Sequence, residues 1–300
     1  MARSHPPTLI TLVARTLREE CGVRRGTRVL LALSGGGDSM ALLHVLHVLT
    51  KKQGFELLAH GVDHGLRPEA AAELDCAEAQ CRALGVAFSR TVLALTNGGN
   101  LQARARDARR EALSAAAAEV QAELIATAHH ANDRAETVLL RLLRGSGPPG
   151  LSVLPPRSGL WIRPQCRAQK SDVLAHLTRH RLLFAEDPSN HNLRFMRTRV
   201  RHELLPLLEQ LSPQIVSHLC ALADALGPSA GSPAESASAT TLFDERGVAL
   251  LLNRAQRQLV GRARTFGQRT ARVSLASGRE LALDPVTLEP RLVAARPRKR

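Results

Sequence analysis

Tyrosine is absent from the 300-residue chain, tryptophan occurs once, and aromatic residues make up 2% of it. Stacking of bases on aromatic platforms is therefore not its main mode of recognition. Lysine is scarce as well, at positions 51, 52, 170 and 299 only, while arginine is abundant. The five cysteines, at 21, 76, 81, 166 and 220, are odd in number and contain no CxxC pair, which supports neither a disulfide framework nor a zinc or iron–sulfur site. No apolar run approaches the roughly 20 residues that a membrane span needs. Near the N-terminus, Leu9, Ile10, Leu12 and Val13 are interrupted by threonine and followed by Arg15, Arg18, Glu19 and Glu20. That is no signal-peptide core. It reads as an amphipathic helix within residues 1–24 of a soluble, cytoplasmic protein.

With 44% hydrophobic residues, the length suits one domain of roughly 200 residues plus something smaller. A net charge of +14 points toward a polyanionic partner, because clustered arginines displace counterions from a phosphate backbone. The excess of arginine over lysine, together with abundant alanine, also fits a bias in the nucleotide composition of the gene. The charge supports RNA binding without establishing it.

Short apolar runs alternate with helix-type stretches. Val29 to Leu33, Leu57 to Val62, Val86 to Leu93 and Leu124 to Ala128 read as strands. Helical stretches begin at Met40, Glu73, Leu101, Asn132 and Ser171, the fourth stopped by Gly145. This alternation predicts an α/β domain over residues 25–190 with a parallel sheet covered by helices on both faces, expected to be five-stranded, with these four strands and one more. Val200 to Leu211 and Gln214 to Leu226 predict a helical domain over 191–226. Residues 227–241, rich in Ser, Ala, Gly and Pro, read as a flexible linker. A small appendage with a basic tail follows over 242–300, with a helix expected from Val248 to Ala263 and a hairpin from Arg272 to Leu283.

The first strand runs into Ser34-Gly35-Gly36-Gly37-Asp38-Ser39. Three glycines between a buried strand and a helix let the backbone approach an anion, and the helix N-terminus aims free N–H groups at it. No Gly-Lys-Ser/Thr ending makes this a Walker A loop, and no GxGxxG spacing makes it a dinucleotide loop. Ser34 and Ser39 add hydroxyl donors, whereas Asp38 would need a magnesium ion between itself and a phosphate. Farther along, His129, Asp133 and Glu136 are spaced i, i+4, i+7, which places them on one helical face if the helix starts early. Asn132 and Asp133 could simply cap a solvated helix, or the carboxylate pair could bind an ammonium group or magnesium. Arg194, Arg197, Arg199 and Arg201 alternate with Phe195, Met196, Thr198 and Val200, as a solvated basic helix start or as contacts that position a phosphate backbone.

The Ser34 to Ser39 segment resembles the SGGxDS signature of the PP-loop ATP pyrophosphatases, which cleave ATP between its α and β phosphates and transfer AMP to a substrate oxygen. The resemblance narrows to the tRNA(Ile)-lysidine synthetases over about 170 residues. Val62-Asp63-His64-Gly65-Leu66-Arg67, the stretch from Asn100 through Ala105-Arg106-Asp107-Ala108-Arg109, His129 to Thr137, Arg144 to Gly147, Glu186 to Asn190 and Arg194 to His202 follow in that family's order. The chain departs from the pattern at Asn132, Arg134, Thr198, Gln165 and Cys166, among others.

The resemblance implies ATP bound with Mg2+ by Ser34, Gly35, Gly36, Gly37, Asp38, Ser39 and Asp63, with Asp38 positioning the metal. It implies that Arg109 and His129 stabilise the phosphates, that Asp133 and Glu136 receive free L-lysine, and that Arg106, Arg194, Arg197, Arg199 and Arg201 contact tRNA or phosphate. The partner would be an isoleucine tRNA with a CAU anticodon, whose wobble cytidine becomes lysidine; no membrane is involved. The ligand site is expected at the strand carboxyl ends between Gly35, Asp63 and His129. Two rivals are a tRNA thiolase of the same superfamily, which usually brings cysteine pairs, and a catalytically retired tRNA-binding protein.

Overall fold

The computed structural model describes residues 7–63, 65, 69–93, 101–185 and 195–227, and short strands between 242 and 294. Contacts divide the chain into two units, Met1–Ser229 and Ala230–Arg300.

The first unit opens with α1 (Leu9–Glu19), capped by the Thr8 hydroxyl, which accepts from the Thr11 N–H. Its Leu9, Val13, Thr16 and Leu17 are buried, the stripe that an amphipathic helix presents. Then follow β1 (Arg28–Leu33), α2 (Gly37–Gln53), β2 (Glu56–Asp63), α3 (Glu69–Leu84), β3 (Ala87–Val92), α4 (Leu101–Glu119), β4 (Leu124–Ala126), α5 (Ala131–Leu143) and α6 (Pro148–Leu151). The two-residue strands β5 (Arg157–Ser158) and β6 (Trp161–Ile162) precede α7 (Lys170–His180). A last helical stretch contains α8 (Met196–Arg199), a π-helical turn over Val200–Leu204, α9 (Leu205–Leu211) and α10 (Ile215–Ala225).

The sheet order is β3-β2-β1-β4-β6-β5. The five strands from β3 to β6 pair in parallel, as the alternation of elements predicts, and β5 adds an antiparallel edge. The parallel five-stranded sheet expected is therefore present, and β5 is a sixth strand outside that expectation; β5 and β6 are too short to leave a periodic signal. Strand β1 lies in the middle and its side chains alternate between two cores. Val29, Leu31 and Leu33 pack with α1, α2 and Val173 and Leu177 of α7. Leu30 and Ala32 pack with Leu113, Ala116 and Ala117 of α4, with Ile125 and with Trp161. Leu30, Leu31 and Leu33 are at most 1% exposed, and each such burial stabilises by about 1.5 to 3 kcal/mol. A third cluster joins α5 (Ala135, Val138, Leu139) to α10 (Val216, Leu219, Ala223) through Val200 and Leu205.

In the second unit, β7 (Leu242–Phe243) pairs antiparallel with β8 (Ala249–Leu250). Strands β9 (Arg272–Ser274), β10 (Arg279–Leu283) and β11 (Pro290–Ala294) form an antiparallel sheet in the order β11-β10-β9. The expected hairpin is present and gains a third strand. The helix expected from Val248 is replaced at its start by β8; most of that stretch, and residues 228–241 of the expected linker, lie outside the described residues. Among the described residues no helix is long and apolar enough to cross a membrane.

Candidate active site

The chain leaves β1 at Ser34 and enters α2 at Gly37, so the glycine loop lies at the carboxyl end of the central strand. Gly35 has a φ of +80°, and a Cβ there would sit 2.6 Å from the Glu73 carbonyl oxygen, so both backbone and space demand glycine. The Ser39 hydroxyl donates to the Gly36 carbonyl at 2.8 Å and lies 3.2 Å from the Ser34 hydroxyl. Ser39 is 4% exposed and so holds the loop together from beneath. On the other side the Ala185 N–H donates to the Gly35 carbonyl at 3.0 Å, which makes the segment after α7 a short parallel strap on the loop.

A cavity of about 920 Å³ opens between this loop, α4 and the β4–α5 connection. Ser34, Gly36, Gly37, Asp38 and Ser39 line one side, and Arg106, Arg109, Arg141, Arg163, Arg197 and His129 line much of the rest. A second cavity of about 220 Å³ is lined by His130, Asn132, Glu136, Arg201, Leu205 and Glu209. Asp38 and Lys170 line both. The first cavity is rich in guanidinium groups, whereas the second mixes the carboxylates of Asp38, Glu136 and Glu209 with Lys170 and Arg201.

Lys170, the first residue of α7, brings its Nζ to 2.6 Å from Asp38 Oδ1. Burial would raise the Asp38 carboxyl, but the neighbouring His130 imidazole and the Lys170 ammonium outweigh it and hold the group at about 2. The backbone N–H of Lys170 donates to Asn132 Oδ1 at 2.9 Å, so α5 fixes the start of α7. Gln165, fully buried, donates through Nε2 to the carbonyls of Asp38 (3.1 Å) and Ala128 (2.9 Å), joining the loop to the β4–α5 connection. Its Oε1 has no hydrogen-bond partner among the described residues.

His130 caps α5. Its Nδ1 accepts from the Asp133 N–H and the Asp133 carboxylate accepts from the His130 N–H, a reciprocal capping box. An accepting Nδ1 puts the proton of the neutral ring on Nε2, which lies 3.5 Å from Asp133 Oδ2 and 3.7 Å from Asp38 Oδ2. His129 is pushed down to about 4 by burial, with Arg163, Arg197 and Arg109 adding to the effect and Asp133 opposing it. Its Nδ1 lies 3.0 Å from the Thr127 hydroxyl, which in turn faces the Ile162 carbonyl. Burial also lowers Arg109.

Asp133 and Glu136 do share a helical face, but both are buried and paired with arginines. Glu136 accepts from Arg197 Nε (3.0 Å) and from Arg201 Nε (2.6 Å) and Nη2 (3.1 Å); Asp133 accepts from Arg197 Nη2 at 3.2 Å and Arg201 Nη2 at 3.3 Å. Burial would raise the Asp133 carboxyl, but His130, His129 and Arg197 hold it below the ordinary range. The solvated-helix alternative for this stretch therefore fails for these two side chains, although Asp133 does cap α5 as that alternative expected.

Ser34, Gly36, Gly37, Asp38, Ser39, Arg106, Arg109, His129, Arg197, Glu136 and Arg201 thus line the two cavities, while Asp133 lies behind them against Arg197 and Arg201 and Gly35 shapes the loop without lining either. Asp63 does not line either one: its Oδ1 accepts from the Gly65 N–H at 2.8 Å and closes its own turn. Arg199 pairs with the exposed Glu203. Arg194, the turn from Glu186 to Asn190, His64, Leu66 and Arg67 lie outside the described residues. Sequence reading missed Lys170, His130, Arg163 and Gln165 as parts of the site. The one usable signal was Lys170 itself, a rare lysine in an arginine-rich chain.

Comparison with known proteins places these features in context. The model of the PP-loop domain family matches residues 9–208. A curated tRNA(Ile)-lysidine synthase from Xanthomonas axonopodis pv. citri is 41% identical over 229 residues, which cover 74% of this chain and 49% of that protein. One from Nitratidesulfovibrio vulgaris is 39% identical over 213 residues, covering 66% and 61%. The chain spans about half the length of the curated relatives it matches. Among solved structures, the U34-tRNA thiolase NcsA from Methanococcus maripaludis aligns with a TM-score of 0.63 and 19% identity over 73% of this chain and 78% of that one, a likeness of fold.

Proposed function

We propose, from the premise that the chain belongs to the PP-loop domain family, that it ligates free L-lysine to the wobble cytidine of an isoleucine tRNA with a CAU anticodon. The cytosine O2 would attack the α-phosphorus of ATP, and the bond to the bridging oxygen would break to release pyrophosphate. The ε-amine of lysine would then attack C2, the C–O bond would break with loss of AMP, and the amine would give up its proton. The observation that carries this reading is the adjacency of an arginine-rich cavity and a smaller one that holds Glu136 and Glu209, across one ion pair, Asp38–Lys170.

In this reading Arg106, Arg109 and Arg163 meet the phosphate charge, since guanidinium groups pair well with phosphoryl oxygens. Mg2+ binds through one or two carboxylates, substrate phosphates and water. Asp38, an anion beside the loop with its side chain 34% exposed, fits that donor requirement and would hold the ion, which would neutralise phosphate charge. His129 is neutral in the free chain; a polyanion beside it would favour protonation at Nε2 and make it a donor. Glu136, with Asp133 behind it and Glu209 across the smaller cavity, would receive the lysine ammonium, and Arg197 and Arg201 keep the two buried carboxylates from repelling each other.

The thiolase alternative finds no support in the cysteines. Cys21, Cys81 and Cys166 are buried, each pushed up to about 12 by burial, and no cysteine joins a cluster of metal ligands among the described residues. The retired-binder alternative rested on Asn132, Arg134 and Thr198. Asn132 supports Lys170, and Arg134 is turned to Asp224 and the Val153 carbonyl rather than to either cavity. The test is sustained pyrophosphate release from ATP and Mg2+. Dependence on both the transcript and free lysine supports ligation; transcript binding without release would return the weight to a binder.

A further inference from the structure

Helix α7 carries His176 and His180 four residues apart, on one face, and His44 of α2 faces them. The ring centroids lie 5.0 Å (His44–His176), 4.5 Å (His44–His180) and 4.4 Å (His176–His180) apart. One nitrogen from each ring lies within 4.8 Å of the other two. His44 Nδ1 and His176 Nε2 are 3.0 Å apart, so one hydrogen bond satisfies that pair in the free chain. Two imidazoles bound to one tetrahedral zinc ion place their nitrogens roughly 3.3 Å apart, given Zn–N bonds of about 2.0 to 2.1 Å. The pair would need to open by only a few tenths of an ångström.

We propose that His44, His176 and His180 form a binding site for a divalent transition metal ion, Zn2+ above all, that clasps α2 to α7, with water completing the coordination on the exposed side of His180. Imidazole is a preferred ligand of such ions, and it must be unprotonated to bind. Burial pushes His44 down, and burial with the neighbouring imidazoles pushes His176 down to about 4. No carboxylate belongs to the cluster among the described residues.

The placement gives the ion a structural consequence. His44 lies two turns along α2 from the glycine loop. His180 is the last residue of α7, five residues before Ala185, which hydrogen-bonds Gly35. A metal clasp would fix the end of α7, and with it the strap on the loop. It stands whether or not the reaction proposed above is the right one.

The test is calorimetric titration of the chelator-treated full chain with Zn2+ alone, with thermal unfolding followed alongside. The expected result is one Zn2+ per chain and a rise in Tm of roughly 5 to 10 °C at a hundredfold excess over Kd. His180→Ala removes an exposed ring, so the fold is retained, and should weaken binding at least ~10-fold by taking away one of three ligands. His218→Ala, an exposed imidazole on α10, should leave it unchanged. Absence of a Zn2+ site, or binding that His180→Ala does not weaken, would overturn the proposal.

Discussion

Lys170 Nζ stands 2.6 Å from Asp38 Oδ1, across 132 positions of sequence, at the boundary between the arginine-lined cavity and the carboxylate-bearing one. One ammonium neutralises the loop carboxylate and anchors the first turn of α7. Replacing it with methionine keeps the stem and removes the charge. Lys170→Met is expected to raise the KM for ATP at least ~10-fold, since a charge-assisted hydrogen bond contributes about 1.5 to 3 kcal/mol. Steady-state pyrophosphate release at varied ATP checks this, and an unchanged KM would remove Lys170 from the site.

Glu136 lines the smaller cavity, with its side chain 2% exposed between Arg197 and Arg201. Glu136→Gln keeps the shape and removes the charge. The KM for free lysine is expected to rise at least ~10-fold with little change in the KM for ATP. Equal loss on both substrates would mean that the cluster holds the fold rather than the lysine.

His129 has its folded pKa depressed by burial to about 4, against an ordinary value near 6.5. Between those values the unfolded chain binds more protons, so stability rises with pH across the window and falls as pH drops from about 6.5 to about 4. His176, also pushed down to about 4, acts in the same direction. Urea midpoints at pH 7 and pH 5 should differ by less in His129→Gln than in the parent. A difference of the same size in both would show that His129 contributes nothing to this pH dependence.

Arg134 is 1% exposed and pairs with Asp224 at 2.7 Å; Asp224 is shared with Arg167, which also holds Glu20. The pair ties α5 to α10 away from both cavities. Arg134→Ala is expected to destabilise the chain by about 2 to 4 kcal/mol, because it leaves Asp224 and the Val153 carbonyl short of a partner and a void behind. Chemical denaturation measures it. A loss of activity at full stability would instead place Arg134 in the reaction.

The parallel sheet was legible because β1, β2 and β4 are apolar runs separated by helix-length stretches, and the loop was legible because Ser34 to Ser39 is contiguous. Asp133 and Glu136 were visible through helical spacing. Their partners were not: Arg197 and Arg201 lie more than 60 positions away, and only the packing of α8 and the π-helical turn on α5 brings them in. Lys170 and Gln165 were hidden for the same reason, being distant in sequence and alone in type. Asp63 is a different case. Its place at the end of β2 suggested the ligand site, but a short polar side chain there is equally able to close the following turn, and it does so with Gly65.

The central claim is tested most directly by supplying radiolabelled free lysine, ATP and Mg2+ to an isoleucine tRNA transcript with a CAU anticodon, beside a transcript whose wobble cytidine is replaced. The account predicts label in the first transcript, none in the second, and loss of labelling in Asp38→Ala. No label in a transcript that the protein still binds, or equal label in both, would contradict it.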